Sequence, residues 1–336
     1  MRRSGNLIEA VAELGNLKLA YTKACRAKPL SRDRLAFRCN LETRLIELGE
    51  ALRTGSYVPG PYRFFTIHDP KERLISAAPF RDRVAQHALM NVLDPLFERV
   101  QIHHSYACRQ GKGMKAAVLT AFHYSKSQAW FLKLDVRKYF DSIDHAVLAS
   151  QVEHRIKDRS ILAALFVIIE SYETSPGRGL PIGNLTSQYF ANHYLAGLDH
   201  YILEGLHISR YVRYMDDMIL VADSKCQLRN AFIHIAAYAE QRLKLALKPP
   251  ILNRTAAGIP FCGFLVKPHG IFLMEKTRRR FKDSQRALTR SFICGDLSPE
   301  RYADRALASS SHLAIGRARR FRYAVYRQSF FGHEPG

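Results

Sequence analysis

Residues 213–223 read RYMDDMILVAD and set two carboxylates, Asp216 and Asp217, side by side in a run of strand-forming apolar residues. Adjacent like charges in an apolar setting repel and lose hydration, so they persist best where a cation neutralises them. A third carboxylate, Asp135, ends the alternating stretch WFLKLD at 130–135. Three aspartates at strand ends suit phosphoryl or nucleotidyl transfer, in which two Mg²⁺ ions about 3.5–4 Å apart activate an attacking hydroxyl and stabilise the leaving oxygen. Asp is also a common turn residue. A plain solvated turn fits poorly, because Tyr214, Met215, Met218 and Ile219 hem the pair in.

The pattern predicts that Asp135 closes one strand and that the acidic pair joins two short ones, 210–214 and 218–222. Upstream, apolar residues three and four apart between Leu7 and Arg53 (Leu41, Leu45, Leu48, Leu52) predict two helices, ended by Gly55 and Pro59. Strands at 62–67 and 73–76 with a turn at 68–72 predict a hairpin carrying Lys71 and Arg73, and a helix follows over 81–97. Beyond the loop RQGKGMK another helix leads into WFLKLD. Residues 144–171 read as helical, ETSPGRGLPIGN as a Gly/Pro loop, and 185–202 and 227–247 as helices. After Lys248 and a Pro-Pro turn come two short strands, IPFCGFLV and GIFLM, and then a helical tail, 275–336, with fourteen Lys/Arg against six Asp/Glu. Helices and strands alternate but hairpins outnumber parallel crossovers, so the expected class is α+β.

Across 336 residues, 51 Lys/Arg against 30 Asp/Glu give a formal charge of +21, which points to a polyanionic partner. A basic surface also suits an anionic membrane. The longest apolar run, ILAALFVII at 161–169, falls far short of the roughly 20 residues of a spanning helix, so no membrane partner is expected. The N-terminus lacks the pattern of a signal peptide, and the six cysteines show no CxxC spacing. Reduced thiols and a cytoplasmic location follow as expectations. His103, His104 and Cys108 form no recognised zinc set.

YMDD, together with LDVRKYFDSID at 134–144, resembles the catalytic core of reverse transcriptases, and further blocks follow in that family's order. YVPGPYRFF, PKERLIS and PFRDRVAQHAL look like the fingers blocks of group II intron and other bacterial reverse transcriptases. SYACRQGKGMKAAV looks like the next block, and GLPIGNLTSQYFANHYL the one after the first aspartate. The resemblance implies a right-hand polymerase with N-terminal helices and fingers at 1–126, a palm of antiparallel sheet with helices on one face at 127–273, and a basic helical thumb at 274–336. It implies an RNA-directed DNA polymerase using two Mg²⁺ ions on Asp135, Asp216 and Asp217. Lys71 and Arg73 would close over the incoming dNTP. Phe140, five residues after Asp135, takes the steric-gate position that excludes a 2′-OH. Lys248 corresponds to a late lysine near the leaving pyrophosphate, and Phe261, Cys262, Gly263 and Phe264 to the primer-grip turn.

One block departs from the common pattern: where most relatives read QGxxxSP, this chain reads IGNLTSQ, from Ile182 through Gly183 to Gln188. That variant resembles the reverse transcriptases of diversity-generating retroelements, which copy a template RNA with errors at adenine to diversify a variable protein gene. The implied partners are template RNA, the RNA/cDNA duplex, dNTPs and a small basic oligomeric accessory protein, in a bacterial cytoplasm. A retron, abortive-infection or group II intron-like enzyme without adenine mutagenesis is the alternative, and a non-catalytic RNA-binding scaffold the alternative of another class. The length after FCGF is expected to hold a thumb and no RNase H or endonuclease domain. The final RARRFRYAVYRQSFF interleaves Arg with aromatics, as a nucleic-acid groove requires. The spacing of Phe321, Val325 and Ser329 equally suits a helical core.

Overall fold

The computed structural model describes residues 7–26, 31–68, 72–311, 313–315 and 318–331. The first elements are α1 (Ile8–Ala12), α2 (Leu14–Cys25), α3 (Arg32–Cys39), α4 (Leu41–Thr54), β1 (Arg63–His68), β2 (Glu72–Ala77) and α5 (Phe80–Glu98). Then come α6 (Met114–Ser125), β3 (Trp130–Leu134), α7 (Tyr139–Ser142), α8 (His145–Glu153), α9 (Arg159–Glu170), α10 (Leu185–His200), β4 (Tyr211–Tyr214), β5 (Asp217–Ala222) and α11 (Lys225–Leu243). The last are β6 (Ile251–Arg254), β7 (Ile259–Phe261), β8 (Phe264–Lys267), β9 (Gly270–Leu273), α12 (Glu275–Ile293), α13 (Pro299–Ser311) and α14 (Arg319–Phe331). The class is mixed α+β with antiparallel sheets. The chain forms two compact units, each assembled from separated segments.

The first unit comprises 1–102, 136–201 and 235–246. Where two helices were expected between Leu7 and Arg53 there are four. Glu13 breaks the first stretch with extended backbone, Ser31 caps α3 by accepting the Arg34 N–H, and Asn40 leaves helical geometry before α4. The helical stretch expected over 144–171 is likewise two helices, because two aspartates cap separate N-termini. Asp144 accepts the Val147 N–H at 3.1 Å, and Asp158 the Ile161 N–H at 3.2 Å. Asp158 also accepts from the Leu7 and Ile8 N–H groups, so one carboxylate serves two helix starts. The helix expected to reach residue 247 ends at Leu243, where Lys244 turns to φ +52° and pairs with Asp144 at 2.8 Å. β1 and β2 form the anticipated antiparallel hairpin, and the Ser76 N–H bonds the Ile182 carbonyl at 2.9 Å. Lys71 lies outside the described residues.

The second unit comprises 103–135, 202–234 and 247–336. Its main sheet runs in the order β4-β5-β3-β6, all antiparallel. Strand β6 was not expected. Its ILNR sequence follows Pro-Pro and sits mostly exposed at the sheet edge, where polar side chains need no alternation. The IPFCGFLV run, expected as one strand, is two. Phe261 pairs with Phe264 across Cys262 and Gly263, both at positive φ, as a two-residue hairpin demands. Phe131, Val212, Ile219 and Val221 of the main sheet share one core with Phe261, Phe264 and Val266 of the smaller sheet and with Ala117, Val118 and Ala121 of α6. In the helical tail Phe281, Leu313 and Val325 pack together with Phe321 and Tyr326 against them, and Ser329 is buried. The periodic residues of the last helix thus face a core.

Gly263 carries φ +83°, and a Cβ there would stand 2.9 Å from Thr277 Oγ1. That hydroxyl also donates to the Gly263 carbonyl at 2.8 Å. Gly263→Ala is therefore expected to cost about 1–3 kcal/mol, read as a lower urea midpoint with unchanged slope.

Candidate active site

Strand pairing assembles the acidic residues within the second unit. Leu134 of β3 pairs with Met218 of β5, so Asp135, the next residue, runs past the strand end beside Asp217. Asp217 in turn pairs with Tyr214 across a two-residue turn of Met215 and Asp216. Met215 holds φ +54°, a left-handed conformation that an L side chain adopts at a cost. Its carbonyl accepts from Arg213 Nη1 at 2.9 Å, and Arg213 is fully buried. On the outer side of β4, Arg213 exchanges backbone bonds with His104 and Tyr106. A buried arginine thus supports the turn that presents the acidic pair.

The electrostatics are those of incompletely neutralised charge. Burial raises the Asp216 carboxyl to about 6, and the charges of Asp135 and Asp217 push in the same direction. Burial likewise raises Asp217 to about 6, against the pull of Lys133, and Asp135 adds to the rise. Lys133 Nζ donates to Asp217 Oδ2 at 2.9 Å, and Lys248 Nζ pairs with Asp135 Oδ1. Asp217 Oδ1 is buried with no hydrogen-bond partner. Burial also pushes the Cys262 thiol up, and the Asp217 charge pushes it further.

Among the described residues no three His, Cys, Asp or Glu side chains form a ready metal-binding group. Instead Lys133 and Lys248 each hold one aspartate. The donor chemistry still fits a hard divalent cation: the carboxylates are all-oxygen donors, their charges raise one another, and a buried oxygen of Asp217 lacks a partner.

Of the residues expected to meet a nucleotide, Arg73, Phe140, Ile182, Gly183 and Gln188 lie in the first unit and Lys248 in the second, and four of those in the first unit divide over two cavities. Arg73 and Ile182 line a cleft of about 570 Å³ with Lys138, Arg178, Asp141 and Tyr172. Gly183 and Gln188 line another of about 280 Å³ with Lys23, Arg26, Arg83 and His87. Burial, with Arg83 and Lys23 nearby, pushes His87 down to about 4. Phe140 lines neither cavity. It is partly buried against Tyr139, and its carbonyl accepts the Leu180 N–H at 2.8 Å. Phe261 and Phe264 are core residues, with Cys262 and Gly263 forming the turn between them.

Sequence reasoning missed Lys133, Arg213, Lys138 and Arg178. A charge in the alternating strand FLKL, two residues before Asp135 and so on its face, was the readable sign for Lys133. A charge three residues before Asp216, in an otherwise apolar strand, was the sign for Arg213. Lys138 and Arg178 are ordinary loop cations in sequence, gathered only by the fold.

The chain belongs to the reverse transcriptase (RNA-dependent DNA polymerase) family, whose model matches residues 68–249, a span that holds all three aspartates. It is 26% identical over 173 residues to the group II intron-encoded protein LtrA of Lactococcus lactis, covering 48% of this chain and 29% of that protein. It is 25% identical over 210 residues to protein YkfC of Escherichia coli, covering 58% of this chain and 55% of YkfC. A putative COX1/OXI3 intron 1 protein of Saccharomyces cerevisiae is 24% identical over 221 residues, 61% of this chain and 26% of the yeast protein. The chain therefore spans between about a quarter and about half the length of these relatives. Among the described residues no helix is long and apolar enough to cross a membrane.

The carboxyl of Asp216 is raised in the folded state, so that state binds more protons than the unfolded chain between about pH 4 and 6, and stability falls as pH rises through that window. Asp216→Asn should melt higher than the parent at pH 7, by roughly 1–2 kcal/mol, and the gain should vanish near pH 4. Calorimetry of both proteins across pH checks this.

Proposed function

We propose that the protein is an RNA-directed DNA polymerase that copies a template RNA into cDNA with dNTPs, and that Asp135, Asp216 and Asp217 are its catalytic carboxylates. The observation that supports this best is the acidic pair on the β4–β5 turn beside Asp135, buried and short of neutralising charge, inside the span matched by the family model. Asp135 and Asp216 would hold Mg²⁺, with Asp217 completing or tuning the set. When bound, two such ions sharpen the primer hydroxyl as a nucleophile and take up charge on the leaving pyrophosphate. The chain's own residues align and neutralise. Lys248, paired with Asp135, stands ready as a cation for the leaving phosphates.

The cleft of Arg73, Lys138 and Arg178 supports a triphosphate-binding role for Arg73, since a guanidinium grips phosphate bidentately. Lys71 is proposed to share that role, and Phe140 to exclude ribonucleotides. Residues 1–126, 127–273 and 274–336 are proposed as fingers, palm and thumb, with the hairpin turn at Cys262 and Gly263 as primer grip.

The finer reading is a polymerase of the diversity-generating type, error-prone at template adenines, working with a small basic oligomeric accessory protein in a bacterial cytoplasm. It rests on IGNLTSQ at 182–188. Ile182 in place of an amide withdraws hydrogen-bonding capacity worth about 0.5–1.5 kcal/mol, up to roughly tenfold in discrimination. An intron-type polymerase of ordinary fidelity is the second reading, favoured by the similarity to the group II intron-encoded protein of L. lactis.

The test is cDNA synthesis on a defined RNA template with Mg²⁺ and dNTPs, with product sequencing. Aspartate-dependent cDNA is expected, abolished in Asp216→Ala/Asp217→Ala, with errors concentrated opposite adenine and reduced in Ile182→Gln. Accurate cDNA from the parent would select the intron-type reading. Arg73→Ala is expected to raise KM for dNTP roughly tenfold with a smaller change in kcat, read in steady-state incorporation.

A further inference from the structure

Lys133 takes part in two interactions at once. Its ammonium donates to Asp217 Oδ2 at 2.9 Å and to the Pro260 carbonyl at 2.8 Å, and its side chain is only 16% exposed. Pro260 belongs to β7, two residues before the tight turn at Cys262 and Gly263. That turn is pinned from its other side, where the Gly263 carbonyl accepts from the Met274 N–H at 3.1 Å and the Thr277 hydroxyl at 2.8 Å, at the start of α12. Polar contacts therefore run from Asp217 through Lys133 to Pro260 on one side of the β7–β8 turn, and from Gly263 on its other side to the start of α12.

We propose that Lys133 is a positioning residue that ties the acidic pair to the β7–β8 hairpin, so that the hairpin and the Asp217 carboxylate keep one fixed spacing. The physical case is that this cation is nearly buried, has a carboxylate on one side and a backbone carbonyl on the other, and extends from the same strand face as Asp135. Pro260 has no N–H and so presents only an acceptor at that edge, which suits an ammonium and leaves no donor to compete for Asp217. Asp217 opens the strand that follows a strained turn, and its second oxygen has no partner, so among the described residues Lys133 is what fixes its carboxylate. The proposal rests on the polymerase reading in one respect: with the hairpin as primer grip, Lys133 sets the primer end against the carboxylates, and its loss acts on the chemical step rather than on nucleotide binding.

The experiment compares the full chain with Lys133→Met and Lys133→Arg, by single-nucleotide incorporation and by hydrogen exchange of amides 259–273. Lys133→Gln replaces the Met variant if that one does not fold. The expected result is a fall in kcat of about tenfold or more in Lys133→Met with KM for dNTP little changed, substantial recovery in Lys133→Arg, and faster exchange of the hairpin amides in the Met variant alone. A kcat in Lys133→Met equal to the parent's, an Arg variant as impaired as the Met variant, or unchanged hairpin exchange overturns the proposal. If the parent itself makes no cDNA, the polymerase reading fails and the exchange measurement alone decides whether Lys133 clamps the hairpin.

Discussion

Two carboxylates held side by side at the end of a buried sheet, with a third running past the neighbouring strand, are the constraint around which the second unit is organised. Left to themselves they repel one another and resist leaving water, and both members of the pair are raised to about 6. The fold meets this with cations drawn from several elements. Lys133 comes from β3, Lys248 from the segment before β6, and a fully buried Arg213 supports the turn from β4. The sheet in turn depends on the apolar core it shares with α6 and the β7–β9 sheet, since only a rigid backing keeps a left-handed Met215 and its two aspartates in place.

The acids were legible in the sequence because charge inside a strand pattern is costly and therefore conspicuous. Their strands were legible for the same reason, through alternation. What escaped were features whose cause is tertiary. ILNR at 251–254 carries no strand pattern of its own and becomes β6 by pairing along the edge of β3. Cys262 is an unusual residue for a left-handed turn position, so the hairpin within IPFCGFLV was hidden by its apolar run. Helix boundaries at Asp144 and Asp158 could have been read, since both are capping residues, but the apolar periodicity across them was stronger than the signal of the caps.

The residues proposed to face a nucleotide show a different limit. Arg73 and Ile182, far apart in sequence, line one cleft because the Ile182 carbonyl extends the β1–β2 hairpin through the Ser76 N–H, whereas Gly183 and Gln188 turn into another cavity. Motif order groups these residues in one block, and backbone geometry separates them. A block read as one functional stretch is thus two surfaces joined at a glycine with φ +116°. Effects of substitutions at Ile182 and at Gln188 should accordingly be considered separately.

The proposed chemistry requires a divalent cation to neutralise the acidic pair. The most direct measurement is the melting temperature of the protein at pH 7 as Mg²⁺ or Mn²⁺ is titrated, beside Asp216→Asn. A ligand that binds only the folded state must stabilise it. The parent's melting temperature is expected to climb and saturate with either ion, while the Asn variant starts higher and gains much less. A parent indifferent to millimolar cation, or a variant that responds as strongly as the parent, would contradict it.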